Sequence, residues 1–151
     1  AVNGVEDPAA NPCVNESTEV LYFIPDIALP GEVVMNELMP DPTPAIGIPD
    51  AEFIEIYNAT TTKTFDLANW TISDGSSTGT LPSVALPPGG YAILTDDVNA
   101  ALFTGFGTVV NIPTFPSLNN DGDPLELANE IVGVCNVARD DLSVLTLEFR
   151  M

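Results

Sequence analysis

Phe53-Ile54-Glu55-Ile56-Tyr57-Asn58 sits at the centre of an ordered series of short motifs that decides the fold. Val33-Val34-Met35-Asn36-Glu37-Leu38 precedes it, and Leu67-Ala68-Asn69-Trp70-Thr71-Ile72 and Leu86-Pro87-Pro88-Gly89-Gly90-Tyr91 follow. Side chains alternate across a strand, so Ile54 and Ile56 point one way while Phe53, Glu55 and Tyr57 point the other. Trp70 and Ile72 share a face by the same rule, and Trp70 has the size to fill the space between two sheets. Asn58 and Asn69 suit turns, where a carboxamide bonds nearby backbone. Each run is a strand or its terminating turn, and none assembles a set of catalytic groups.

The rest of the chain has the same texture. Fourteen prolines and eleven glycines punctuate segments rich in Val, Ile, Thr, Phe and Tyr, the pattern of an all-β sandwich or barrel. Strands are expected near 33–39, 52–58, 65–73, 91–95, 109–112, 124–128, 131–137 and 143–149. Asp97 to Phe103 is the only stretch resembling a helix, at most two turns long. Asn120-Asp121-Gly122-Asp123 offers an Asp-Gly pair, favoured in two-residue hairpin turns. Residues 1–32 read differently. A β-prone run, Glu19-Val20-Leu21-Tyr22-Phe23-Ile24, is followed by Pro25 and Pro30-Gly31, as in the final strand and linker of a preceding domain. The expected division is therefore 1–32 and 33–151. The opening Ala1-Val2-Asn3-Gly4, without an initiator Met, reads as a processed product or a piece of something longer.

Taken in order and at their spacing, these motifs resemble the lamin tail domain, an immunoglobulin-like antiparallel β-sandwich found also in large secreted bacterial proteins. The resemblance rests on Asn36-Glu37 with Asp41-Pro42, on Phe53 to Asn58, on Asn69-Trp70-Thr71-Ile72 and on Leu86 to Tyr91. Ser117-Leu118-Asn119-Asn120-Asp121-Gly122-Asp123 completes it, and the whole covers about 33–149. The chain departs from the family's usual ending at Gly133-Val134-Cys135-Asn136-Val137. Gly4-Val5-Glu6-Asp7-Pro8-Ala9-Ala10-Asn11 loosely resembles the end of a bacterial Ig-like domain. The resemblance implies a non-catalytic structural, adhesion or assembly module of a secreted or cell-surface bacterial protein.

Charge and composition remove several function classes. Against 22 acidic residues stand only Lys63, Arg139 and Arg150, a net charge of −19. Nucleic-acid binding needs cations to displace phosphate counterions, so DNA and RNA are excluded as partners, and anionic membrane surfaces with them. No apolar run approaches the ~20 residues of a membrane-spanning helix. Expected partners are neighbouring domains, like subunits, basic proteins, cations or neutral glycans. His is absent, which removes His-based acid–base catalysis, Ser-His-Asp arrangements and His-ligated zinc. Cys13 and Cys135 allow two readings, a disulfide or two small buried apolar residues.

Glu37, Glu52 and Glu55 fall on strands expected to be adjacent, with Asp41 and Asp50 in the loop between them. Ca²⁺ takes six to eight oxygen ligands of this kind; the alternative, which is preferred, gives each carboxylate to backbone N–H groups at strand ends. An EF-hand reading of 119–123 fails, because placing Gly122 at the loop's sixth position puts Ala128 where a bidentate Glu belongs. Asp96-Asp97 reads as the cap of the short helix rather than a cation site. Paired carboxylates alone could run glycoside hydrolysis, but a small packed sandwich offers no deep pocket, and no enzyme is expected. Asn15-Glu16-Ser17, Asn58-Ala59-Thr60 and Asn69-Trp70-Thr71 match the glycosylation sequon. Two further functional expectations are an extracellular polymer, in which residues 19–29 complete the sheet of the next chain, and an accessory domain holding Ca²⁺ or a glycan for a secreted hydrolase.

So large a like charge repels itself, and salt screens it over about 8 Å at physiological strength. The melting temperature should therefore rise with added NaCl; an unchanged value from low to high salt would show that the acidity carries no energetic cost.

Overall fold

A computed structural model describes residues 23–122, 124–129 and 133–139 of the chain. Within them the strands are β1 (Val33–Met39), β2 (Phe53–Asn58), β3 (Phe65–Asp66), β4 (Thr71–Ser73), β5 (Thr78–Thr80), β6 (Ala85–Leu86), β7 (Tyr91–Asp96), β8 (Thr108–Ile112), β9 (Pro124–Asn129) and β10 (Gly133–Arg139). They form two four-stranded sheets, ordered β1-β2-β7-β8 and β10-β9-β4-β5, plus a two-stranded β3-β6 piece. This is the expected immunoglobulin-like β-sandwich.

The alternation read from the sequence generates the layers. Ile54 and Ile56 of β2 point inward with Met35 of β1, Leu94 of β7 and Val110 of β8. Ile72, Leu125 and Leu127 meet them from the other sheet, and Trp70, 5% exposed, fills the space beside Phe65. The sheets also meet at both sides. β10 packs beside β1, while at Gly79 of β5 an added Cβ would lie 2.5 Å from Ile112 and 2.6 Å from the Thr114 carbonyl. Only glycine lets those backbones approach so closely.

The outer face of the first sheet carries a second apolar cluster of Ala51, Phe53, Ile93 and Phe103, flanked by Met39, Ile48 and Val109. The segment joining β7 to β8 lies over it, with Phe103 edge-on to Phe53 at 5.4 Å. The short helix expected over Asp97–Phe103 is a single 3-10 turn, Ala100–Phe103. Asp96 organises its approach, accepting the backbone N–H groups of Val98 and Asn99, both at 2.9 Å. Because this segment crosses over, β7 and β8 run parallel, whereas the other paired strands among the described residues are antiparallel. From Ala92 to Thr95 β7 is thereby covered on both faces, and these four residues are all buried.

Three local expectations are corrected. The run 65–73 is two strands, because Asn69 adopts φ 63° and turns the chain between them. The Asp-Gly turn is not a hairpin. Gly122 does close a turn on the Asn119 carbonyl at 3.0 Å, but β8 and β9 on its two sides belong to opposite sheets. Thr78–Thr80 and Ala85–Leu86 are strands with no sequence expectation behind them. The strand expected at 143–149 lies outside the described residues, as does Cys13. Cys135 occupies a register shift in the β9–β10 ladder, between Val134 and Asn136, as in a β-bulge.

Asn58, fully buried at the end of β2, bonds through both ends of its carboxamide. Its Nδ2 donates to the carbonyls of Lys63, Leu86 and Pro87 at 2.9, 3.1 and 3.0 Å. Its Oδ1 accepts the Thr60 N–H at 3.0 Å and the Thr60 hydroxyl at 2.8 Å. Asn58→Asp keeps the acceptor and removes the donors, and Asn58→Ala removes both. A buried group left unpaired costs about 1–3 kcal/mol, so urea unfolding should show each variant destabilised by at least ~2 kcal/mol; a loss within error would mean that the carboxamide is dispensable.

Candidate functional site

The five carboxylates weighed as a cation site or as framework, Glu37, Asp41, Asp50, Glu52 and Glu55, fall into two pairs and a singleton. Glu37 and Glu55 are direct cross-strand partners on β1 and β2. Asn36, displaced by a register shift in β1, donates its Nδ2 to Glu55 Oε1 at 2.7 Å. Asp41 and Asp50 converge on Thr43, whose N–H donates to Asp41 Oδ1 at 2.9 Å and whose hydroxyl donates to Asp50 Oδ1 at 3.3 Å. Asn120 reaches Asp41 Oδ2 from the far turn at 3.2 Å. Glu52 stands apart, accepting the backbone N–H of Leu118 at 3.1 Å. Among the described residues no three His, Cys, Asp or Glu side chains are grouped as a metal would need.

A cleft that the sequence did not disclose lies on the other side of Trp70. Pro25 to Ala28 form one wall, with Asp66, Ala68, Asn69, Trp70 and Asn129 opposite, around a cavity of about 270 Å³. The segment 26–32 is held there by specific bonds. Ala28 is buried in the main core. Asp26 and Thr64 exchange two bonds: the Asp26 N–H donates to the Thr64 carbonyl at 2.9 Å, and the Thr64 N–H donates to Asp26 Oδ2 at 3.0 Å. Glu32 pairs with Lys63 at 2.6 Å and accepts the Leu29 N–H at 2.9 Å. Asp66 accepts the Ala68 N–H at 3.0 Å and the Ser83 hydroxyl at 3.1 Å. The two cleft carboxylates, Asp26 and Asp66, therefore each hold backbone in place. Nothing in the sequence pattern marked this cleft, because its walls come from segments some forty to a hundred residues apart.

The sequons behave differently from one another. Asn58 is buried with its Nδ2 committed to three carbonyls, so the folded domain presents no acceptor there. Asn69 is exposed on the turn before buried Trp70. Asn15 lies outside the described residues.

The family model of the lamin tail domain matches residues 28–139, from the buried Ala28 of the anchored segment to the last residue of β10. The chain belongs to the lamin tail domain family. No curated protein matches it with significance. The lamin tail domain is a non-catalytic immunoglobulin-like fold; in this chain Asp26, Asp41, Glu52 and Asp66 each hold a backbone N–H, whereas Glu37 and Glu55 do not.

Asp74 shows how strongly such a carboxylate can be held. Burial acts to raise its pKa, but the N–H groups of Ser77 and Ser76, with their hydroxyls, outweigh it and hold the carboxyl below its ordinary value. Ser77 and Ser76 donate to Oδ1 at 2.6 and 2.7 Å. A depressed folded pKa gives stability that is complete above the unfolded value, about 3.9 for Asp, and is lost as pH falls through the folded one. Asp74→Asn should therefore flatten the acid side of a plot of melting temperature against pH while leaving its neutral side comparatively level. Parallel curves for the two proteins would remove Asp74 from acid unfolding.

Proposed function

We propose that this lamin tail domain is a non-catalytic interaction and assembly module of a larger secreted or cell-surface bacterial protein. The observation that supports it most is the commitment of chemically capable carboxylates to the framework. Asp26, Asp41, Glu52, Asp66 and Asp96 each accept a backbone N–H, whereas glycoside hydrolysis needs two carboxylates free to act as acid and as base or nucleophile across a cleft. The extracellular setting rests on the resemblance of residues 4–11 to a bacterial Ig-like domain and on an acidity suited to keeping a β-rich surface apart from its copies.

A second reading, assembly by strand donation, draws on one specific feature. Phe23, Ile24, Ile27 and Leu29 are exposed at 42%, 77%, 54% and 52%, an apolar run that a neighbouring chain's sheet edge could cover. Ala28, between them, is buried, so deletions reaching it would damage the sandwich itself. The cleaner experiment replaces Phe23 and Ile24 with Ser in the full chain. Light scattering should show concentration-dependent assembly of the unaltered protein and a monomer for the double variant. A monomer in both cases, at the highest soluble concentration, overturns strand donation.

A further inference from the structure

The outer face of the first sheet is covered over only part of its length. Where the segment 97–107 and the loop 40–51 cross it, Phe53, Ile93, Ala51 and Phe103 are buried. Beyond their reach, Tyr57 of β2 and Tyr91 of β7 stand opposite each other with ring centroids 4.5 Å apart and planes inclined by 29°. Tyr91 is 49% exposed. The next outward-facing row holds Glu55 and its cross-strand partner Glu37, about 7 Å along the strands from the tyrosines at two residues of rise.

That row is paired against the usual rule. Like charges directly opposite in a sheet are destabilising. Among the described residues Glu37 has no hydrogen-bond or ion-pair partner, and Glu55 has only the neutral carboxamide of Asn36. The one described lysine, Lys63, is engaged by Glu32. The face thus combines a stacked aromatic pair with two uncompensated carboxylates, on a chain of net charge −19.

We propose that this face docks an arginine-rich segment of a partner protein, an inference that rests on the interaction-module reading above. A guanidinium is planar and weakly hydrated; it stacks on a tyrosine ring and at the same time donates to a carboxylate. Arginine side chains laid across Tyr57 and Tyr91 would reach Glu55 and Glu37 and relieve their repulsion. The chain's overall charge steers a basic partner toward the domain, and the aromatic pair selects this face from the remaining acidic surface.

The test uses the full chain and a dye-labelled peptide of alternating Arg and Gly, titrated by fluorescence anisotropy in buffered NaCl. Tyr91→Ala, and separately the double change Glu37→Gln with Glu55→Gln, should weaken binding about three- to tenfold, the range for an exposed cation–π or charge contact. Tyr91→Phe, which keeps the ring, and the double change Asp121→Asn with Glu126→Gln, which removes two exposed charges elsewhere, should stay within about twofold. Equal weakening by the two double variants would mean that only bulk charge is read, and would overturn the proposal. So would absence of peptide binding, or a Tyr91→Ala variant that binds the peptide normally but loses binding to a soluble neutral polysaccharide. If Tyr91→Ala does not fold, the two carboxylate variants decide. The light-scattering comparison is independent of this face, so failure of the peptide leaves the assembly reading to be judged by its own result.

Discussion

The carboxamide of Asn58 is the constraint on which the remaining geometry depends. It ends β2 inside the core, where an unpaired amide would be costly, and its Nδ2 finds three carbonyls there. Two of those, the carbonyls of Leu86 and Pro87, belong to the stretch that feeds β7. The backbone completes the same knot, with the Asn58 N–H donating to the Gly90 carbonyl and the Gly89 N–H donating to the Asn58 carbonyl, both at 3.0 Å. The turn so held has Pro88 followed by Gly89 at φ 67°, the residue order of a type II turn. Its closing bond runs from the Gly90 N–H to the Pro87 carbonyl at 2.9 Å. A side chain at Gly90 would meet that carbonyl at 2.8 Å. β7 is thus delivered in register beside β2, and both the inner core and the outer cluster are built on that central strand.

What the sequence disclosed and what it hid follow from the range of the interactions involved. Periodicity is local, so β1, β2, β7, β8 and β9, with the inward Ile54 and Ile56 of β2, were legible, as were Ile72 of β4 and Trp70 between the sheets. Thr78-Gly79-Thr80 was not, because three residues centred on glycine have no readable period; that strand exists because Gly79 can touch Ile112. The parallel pairing of β7 and β8 was hidden for a related reason. It depends on Phe103 finding Phe53 across fifty residues, and no turn signal records that. The adjacency of Glu37 and Glu55 could be foreseen once their strands were paired. The attachment of Glu52 to Leu118 could not, with sixty-six residues between them.

The acidity also has a structural logic that a count of charges obscures. Asp41, Asp66, Asp74 and Asp96 each accept the N–H of the residue two positions on, namely Thr43, Ala68, Ser76 and Val98. Asn58 does the same with Thr60. These are side-chain turns in which the carboxylate stands in for a backbone carbonyl, and the N–H dipoles offset its charge where other proteins use Lys or Arg. The sequence did carry a trace of this habit in Asp41-x-Thr43, Asn58-x-Thr60 and Asp74-x-Ser76. A surface built this way tolerates many acids with few bases, since such a loop solvates its own carboxylate with backbone N–H groups while the charge itself remains.

That solution is open to loops and to the last residue of a strand, as at Asp66 and Asp96, and closed to strand interiors. Within β1 and β2 the backbone N–H groups belong to the ladder, so Glu55 has only the side-chain amide of Asn36 turned toward it, and Glu37 has no partner among the described residues. Nor does their arrangement serve the fold, because a neutral pair at those positions would complete the same ladder without repulsion. The loop carboxylates are explained by the turns they close, whereas these two are explained by nothing inside the described structure. Their placement beside an exposed aromatic stack sets the charge where a planar cation can use both. The physical division is therefore between acids that the backbone consumes and acids that the sheet leaves facing outward, and recognition is available only to the second kind.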